Sequence, residues 1–77
     1  MAPLDRIQVD PNKMNGQPCI RNTRLTVRRV LEIVALYKDH TAIAQEFPEI
    51  EEEDIRQAIL FAAANLPDAA FDISIAS

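Results

Sequence analysis

The chain has one cysteine, one glycine, one histidine and no tryptophan among its 77 residues. A lone thiol, Cys19, excludes an internal disulfide, and one thiol with one imidazole falls short of a dedicated zinc site. No metal or cofactor is therefore expected. A single glycine, Gly16, leaves few places where the backbone can bend sharply at no steric cost. Long hydrophobic runs are also missing. The stretch through Ile59–Ala64 is far shorter than the ~20 apolar residues a membrane helix requires. Neither a signal peptide nor a membrane span is predicted. A free thiol without an export signal predicts a reducing, cytoplasmic setting.

What is present describes an ordinary folded domain, with 48% apolar and 26% charged residues. The length predicts one domain over 1–77, divided into a hairpin arm (6–25), a three-helix core (26–66) and a tail (67–77). A chain this short buries only about 60% of the surface its unfolded form exposes. Without disulfide or metal, association with a second chain is the expected support, and a homodimer is predicted. The net charge of −4 hides a division. Met1–Lys38 carries seven bases against three acids, net +4, whereas the remainder carries nine acids against Arg56 alone, net −8. The overall balance argues against nucleic acid, and the basic first half reopens that question.

Ile7 and Val9 alternate with polar neighbours and predict a strand that Pro11 stops. Asn15-Gly16 predicts a tight turn and Pro18-Cys19-Ile20 the returning strand. A first helix is predicted over 27–36 with Thr26 as N-cap. Val27, Val30, Leu31 and Val34 form its inward stripe. Ile33 and Leu36 widen that stripe and are expected to meet a second copy. Asp39 is expected to cap a short second helix over 40–47, with Ile43, Ala44 and Phe47 inward and Pro48 ending it. A third helix is expected over 52–65, with Glu52, Glu53 and Asp54 at its positive dipole end. Its buried stripe reads Ile55, Ala58, Ile59, Ala62 and Leu66, with Pro67 as terminator. Phe71, Ile73 and Ile75 alternate with Asp72 and Ser74. They predict either a disordered end or a strand that docks on a partner. The fold class is mainly α, a short N-terminal β-hairpin joined to a three-helix core of helix-turn-helix spacing.

Two segments, taken together, resemble a known family. Asp10-Pro11 followed by Gly16-Gln17-Pro18-Cys19-Ile20-Arg21-Asn22-Thr23-Arg24-Leu25 is similar to the pattern "DP…GkPcIrGTRi". Phe47-Pro48-Glu49-Ile50 with Glu53-Asp54-Ile55 is similar to "yPxLtxeDI". These are marks of the small bacterial proteins of domain-of-unknown-function family 433. The resemblance spans about Ile7 to Ala62. It implies a homeodomain-like helix-turn-helix core and a VapB-like antitoxin role beside a PIN-like ribonuclease toxin. Three positions depart from the pattern. Asn22 replaces a glycine and is expected to tolerate positive φ, Tyr37 replaces a helix-ending glycine, and Glu51 replaces a capping threonine or serine.

Arg21, Arg24, Arg28 and Arg29 place four guanidinium groups within nine residues. Either they offset the acidic half as solvated pairs, or they bind the phosphates or carboxylates of nucleic acid or toxin. Glu51 to Asp54, at the start of the third helix, would repel a DNA backbone. Contacts to DNA should therefore come from the strand-to-first-helix region. Cys19 reads as a small buried hydrophobe, His40 as a surface residue and Thr23 as a turn hydroxyl. No catalytic triad order, phosphate-cradling loop or metal-ligand spacing is present, and no enzyme is expected. The functional expectation is an antitoxin-like binding protein that neutralises a PIN-like toxin and regulates its own operon. The alternatives are a stand-alone DNA-binding regulator and an interaction module without nucleic acid.

Overall fold

The computed structural model describes residues 4–66 and 68. Pro67 and the tail residues Phe71, Ile73 and Ile75, expected to dock on a partner, lie outside the described residues. Two strands, β1 (Ile7–Val9) and β2 (Pro18–Ile20), form an antiparallel pair with Ile7 opposite Ile20 and Val9 opposite Pro18. Three helices follow, α1 (Val27–Leu36), α2 (His40–Glu46) and α3 (Glu52–Asn65). The domain is mainly helical, with the short hairpin at its N-terminal side.

The hairpin reverses through a single 3-10 turn at Met14–Gly16. Met14, Asn15 and Gly16 all take positive φ, 52°, 58° and 78°. Three successive left-handed residues are costly for side chains with a Cβ, and asparagine and glycine lower that cost. A Cβ at Gly16 would meet only Pro11 Cα, at 3.7 Å, so space is not limiting there. Gly16→Val is expected to lose about 1–2 kcal/mol through backbone strain alone. A thermal melt unchanged from wild type would show that the turn tolerates a branched residue.

Local capping explains where the helices begin. Thr26 Oγ1 accepts the Arg29 N–H at 3.1 Å, and Asp39 Oδ1 accepts the Ala42 N–H at 2.9 Å, each satisfying an otherwise orphaned amide. No left-handed glycine ends α1. Tyr37 is extended (φ −99°, ψ 146°), and its N–H closes on the Ile33 carbonyl. The Tyr37 ring then meets Phe47 edge to face, 5.7 Å between centroids, which ties the start and end of α2 together.

The core gathers Ile20, Val27, Val30, Ile33, Ile43, Ile50, Ile55 and Ala58. Four of the sequence expectations are corrected here. Ile33, assigned to a dimer interface, is 1% exposed within its own chain. Because α1 contacts α3, α2 and β2 at once, its covered arc is wider than a one-sided helix needs. That arc centres on Val27, Val30 and Ile33, with Leu31 and Val34 half-buried on its flanks. Ala44, expected inward, is exposed on α2. Ile59 and Leu66, assigned to the buried stripe of α3, are both exposed. The hairpin packs on α3 from the Asp54–Gln57 flank and rotates its buried face away from them.

Candidate functional site

Asp54 sits in the first turn of α3 with no exposure at all. An ionised carboxylate in such a place is tolerable only when its lone pairs are filled by charged or amide donors. Four bonds fill them. Oδ1 accepts from Arg6 Nη1 at 3.1 Å and Arg21 Nε at 3.2 Å; Oδ2 accepts from Arg21 Nη2 at 2.8 Å and the Glu51 N–H at 2.9 Å. Arg21 thus grips both oxygens through two adjacent nitrogens, the fork geometry that only arginine provides. Its Nη2 also donates to the Glu49 carbonyl at 2.8 Å, and Arg6 Nη1 donates to Glu51 as well.

Burial pushes the Asp54 carboxyl up. The hydrogen bonds from Arg21, from the Glu51 amide and from Arg6 outweigh it and hold the group below its ordinary value. Arg6 is raised, first by its bond to Glu51 and then by Asp54, and Arg21 is raised by its bond to Asp54. Beside the pair lies a second polar residue that periodicity did not single out. Gln57, 3% exposed, accepts the Arg6 N–H at 2.8 Å and donates to Asp5 and Glu53, both at 2.8 Å. Asp54 and Gln57 are spaced i, i+3 on a face otherwise formed by Ile55 and Ala58. Two polar residues among buried apolar ones at helical spacing were the available signal.

The backbone that delivers Arg21 is itself unusual. Thr23 N–H closes a turn on the Ile20 carbonyl at 3.2 Å, and Arg21 takes φ 51° inside it. Asn22, expected to hold the positive φ, does not. Its Oδ1 instead accepts from Lys13 Nζ at 2.6 Å. A left-handed arginine costs on the order of 1–2 kcal/mol, and the Arg21 N–H to the Arg6 carbonyl at 2.6 Å holds it in place together with the Asp54 grip. Thr23 is the turn hydroxyl anticipated from sequence, donating to the Ile20 carbonyl at 2.6 Å and accepting the Leu25 N–H at 3.1 Å.

The four arginines singled out from sequence are thereby separated. Arg21 is engaged by the buried Asp54 at 2.8 Å, with its side chain still 39% exposed. Arg28 and Arg29 reach toward Glu32 at 3.7 and 3.5 Å on an open face of α1. Arg24 is exposed and has no carboxylate within 4 Å among the described residues. Leu36, paired with Ile33 in the expected interface, is 75% exposed. Cys19 is a buried free thiol, and His40 is a surface residue whose Nδ1 lies 2.8 Å from Glu52. Among the described residues no cluster of three His, Cys, Asp or Glu side chains could hold a metal ion, and no helix is long and apolar enough to cross a membrane.

The profile of a family described as a protein of unknown function (DUF433) matches residues 7–62, from β1 through most of α3. No curated protein matches the chain. A solved structure that is similar is the crystal structure of a DUF433 member protein from Anabaena variabilis ATCC 29413. The two share 27% identity with a TM-score of 0.68, over 78% of this chain and 59% of that one. The present chain therefore spans less than two-thirds of that protein's length.

Proposed function

The chain belongs to the DUF433 family, and on that footing we propose that it is a non-catalytic, cytoplasmic binding protein of the antitoxin type. It would neutralise a PIN-like nuclease and, through the same cationic face, contact the DNA of its own operon. The observation that carries this reading is where Arg28 and Arg29 stand. They occupy the first turn of α1, whose first turn holds no acidic residue. Positive charge at the positive end of a helix dipole is unfavourable by a few tenths of a kcal/mol to about 1. The loose contacts to Glu32 recover ~0–1 kcal/mol at most. Two cations placed against local preference on an open face favour an anionic partner.

That partner is read first as protein. Glu51, Glu52 and Glu53 begin α3, the helix that in a helix-turn-helix would enter the major groove, and they oppose a polyanion there. A PIN-like nuclease holds its metal with clustered carboxylates, which inserted guanidinium groups would neutralise. Exposed Leu36, Ile59 and Leu66 supply apolar surface for a second copy or for the nuclease itself.

Co-expression with the PIN-like nuclease of the same genome tests the proposal. A stoichiometric complex that abolishes RNA cleavage is expected. The double variant Arg28→Glu, Arg29→Glu should restore cleavage while its melting temperature stays within a few degrees of wild type, about the shift a surface change produces. An active nuclease at equimolar wild-type protein would sink the reading. A salt-sensitive shift of promoter DNA that the same variant loses, with no effect on the nuclease, would replace it with the stand-alone regulator.

A further inference from the structure

The tip of the hairpin carries the pair Asn15-Gly16, with Asn15 exposed and no residue from Pro11 to Gln17 buried. We propose that Asn15 is a site of spontaneous deamidation, and that local opening of this turn sets its rate. The inference concerns the hairpin alone and stands independently of the binding-protein reading.

The chemistry needs only the chain and water. The Gly16 backbone nitrogen gives up its proton and attacks the Asn15 Cγ. The bond from Cγ to the side-chain nitrogen breaks, ammonia leaves, and a succinimide ring closes. Water then adds to one of the two ring carbonyls and opens the ring. The product is aspartate at position 15, or isoaspartate, in which the backbone runs through the β-carbon. Nothing is oxidised or reduced. Glycine is the favourable neighbour because it places no Cβ beside the attacking nitrogen. Asn12, Asn22 and Asn65 precede Lys13, Thr23 and Leu66, whose side chains crowd that approach.

The closed turn holds the reacting atoms apart. Gly16 N–H donates to the Lys13 carbonyl at 3.0 Å, so the proton that must leave is engaged. Asn15 sits at φ 58°, ψ 31°. At that ψ the Gly16 nitrogen stands nearly opposite the Asn15 Cβ across the Cα–C bond, whereas ring closure needs the two nearly eclipsed. Reaction therefore waits for the turn to open. Opening it exposes none of the core, because no residue of the loop is buried, and such segments open far more often than the whole domain unfolds. What keeps it closed is local. Gln17 N–H donates to the Met14 carbonyl at 3.1 Å, Asp10 Oδ1 accepts the Asn12 N–H at 2.9 Å, and Lys13 Nζ donates to Asn22 Oδ1 at 2.6 Å. The positive φ of Met14 and Asn15 works against these bonds.

The test incubates the full chain at mildly alkaline pH, in buffer and in guanidinium chloride, and follows conversion by peptide mass mapping with fragmentation that separates aspartate from isoaspartate. In denaturant the peptide carrying Asn15 should convert first, to a mixture of the two products, while Asn12, Asn22 and Asn65 stay intact over the same period. The folded chain should convert at least about tenfold more slowly, through the opened turn. Asn22→Ala removes the acceptor for Lys13 without touching the neighbours of Asn15. It should speed conversion of the folded chain about two- to tenfold, the worth of one hydrogen bond, and leave the denatured rate unchanged. Asp54→Asn, which weakens the core and not the loop, should leave the folded rate near wild type well below its melting temperature. Earlier conversion at another asparagine in denaturant overturns the site assignment. Equal rates in buffer and denaturant overturn protection by the turn. Acceleration by Asp54→Asn with none by Asn22→Ala would assign the reaction to whole-domain unfolding and overturn local opening.

Discussion

Asp54→Asn is expected to destabilise the domain by about 2–4 kcal/mol, a fall in melting temperature of roughly 8 °C or more. The substitution keeps the shape and removes the charge. Two guanidinium groups then face a neutral amide, and the amide's NH2 is turned toward donors. The full cost of breaking a buried pair is about 3–5 kcal/mol. Here the Arg6 and Arg21 side chains retain 30% and 39% of their exposure, so water recovers part of what they lose. Burial acts to raise the carboxyl, but the bonds from Arg21, Glu51 and Arg6 prevail and lower it. Its contribution is therefore complete above the unfolded carboxylate value of about 3.9 and disappears as pH falls through the lower, folded value. Urea melts at neutral pH and on an acid series should show wild type losing this component below about pH 4. Asp54→Asn lacks it throughout. Equal stability of the two proteins at neutral pH would mean that the four bonds on Asp54 contribute nothing net.

Ile33→Ala is expected to cost about 3 kcal/mol, within the range for deleting a buried isoleucine side chain and leaving a cavity. For a domain whose total stability is on the order of 5–15 kcal/mol, that is enough to populate unfolded chain at moderate temperature. Leu36→Ala, three residues on, should change the melt of the single chain by less than about 0.5 kcal/mol. The contrast separates two roles, core and interface, that sequence reasoning alone does not distinguish for Ile33 and Leu36. If Ile33 formed an interface between copies, its alanine variant would dissociate on sedimentation while the monomer melted normally. The burial of Ile33 calls for the reverse, a destabilised fold and no direct effect on association. An effect of Leu36→Ala on association alone would place a second copy on the exposed end of α1.

The two motifs that carried the family resemblance are the two sides of one contact. Arg21 belongs to the first and Asp54 to the second, 33 positions apart. Reading the chain in order shows an arginine in a turn and an acid at a helix start, and each has a sufficient local explanation. Asp54 does serve the helix end, accepting the Glu51 N–H at 2.9 Å, which is why the local account of it was incomplete rather than mistaken. Its pairing with Arg6 and Arg21 required knowing where the hairpin lands. The same is true of Arg24: Arg21, Arg28 and Arg29 are as basic as it is, and only the fold shows that it alone of these four has no carboxylate within 4 Å among the described residues.

The sequence by itself determined the elements and their ends: the bounds of α1 and α3, the caps Thr26 and Asp39, the paired strands and the turn at Asn15-Gly16. Each of these depends on side chains and amides within about one helical turn or one hairpin, where periodicity and capping act directly. Only the tertiary structure decided which flank of α3 is covered, that Ile33 completes the chain's own core, and which arginine remains available. Those outcomes depend on contacts between residues dozens of positions apart, and a buried charge selects its partner by three-dimensional proximity rather than by spacing along the chain.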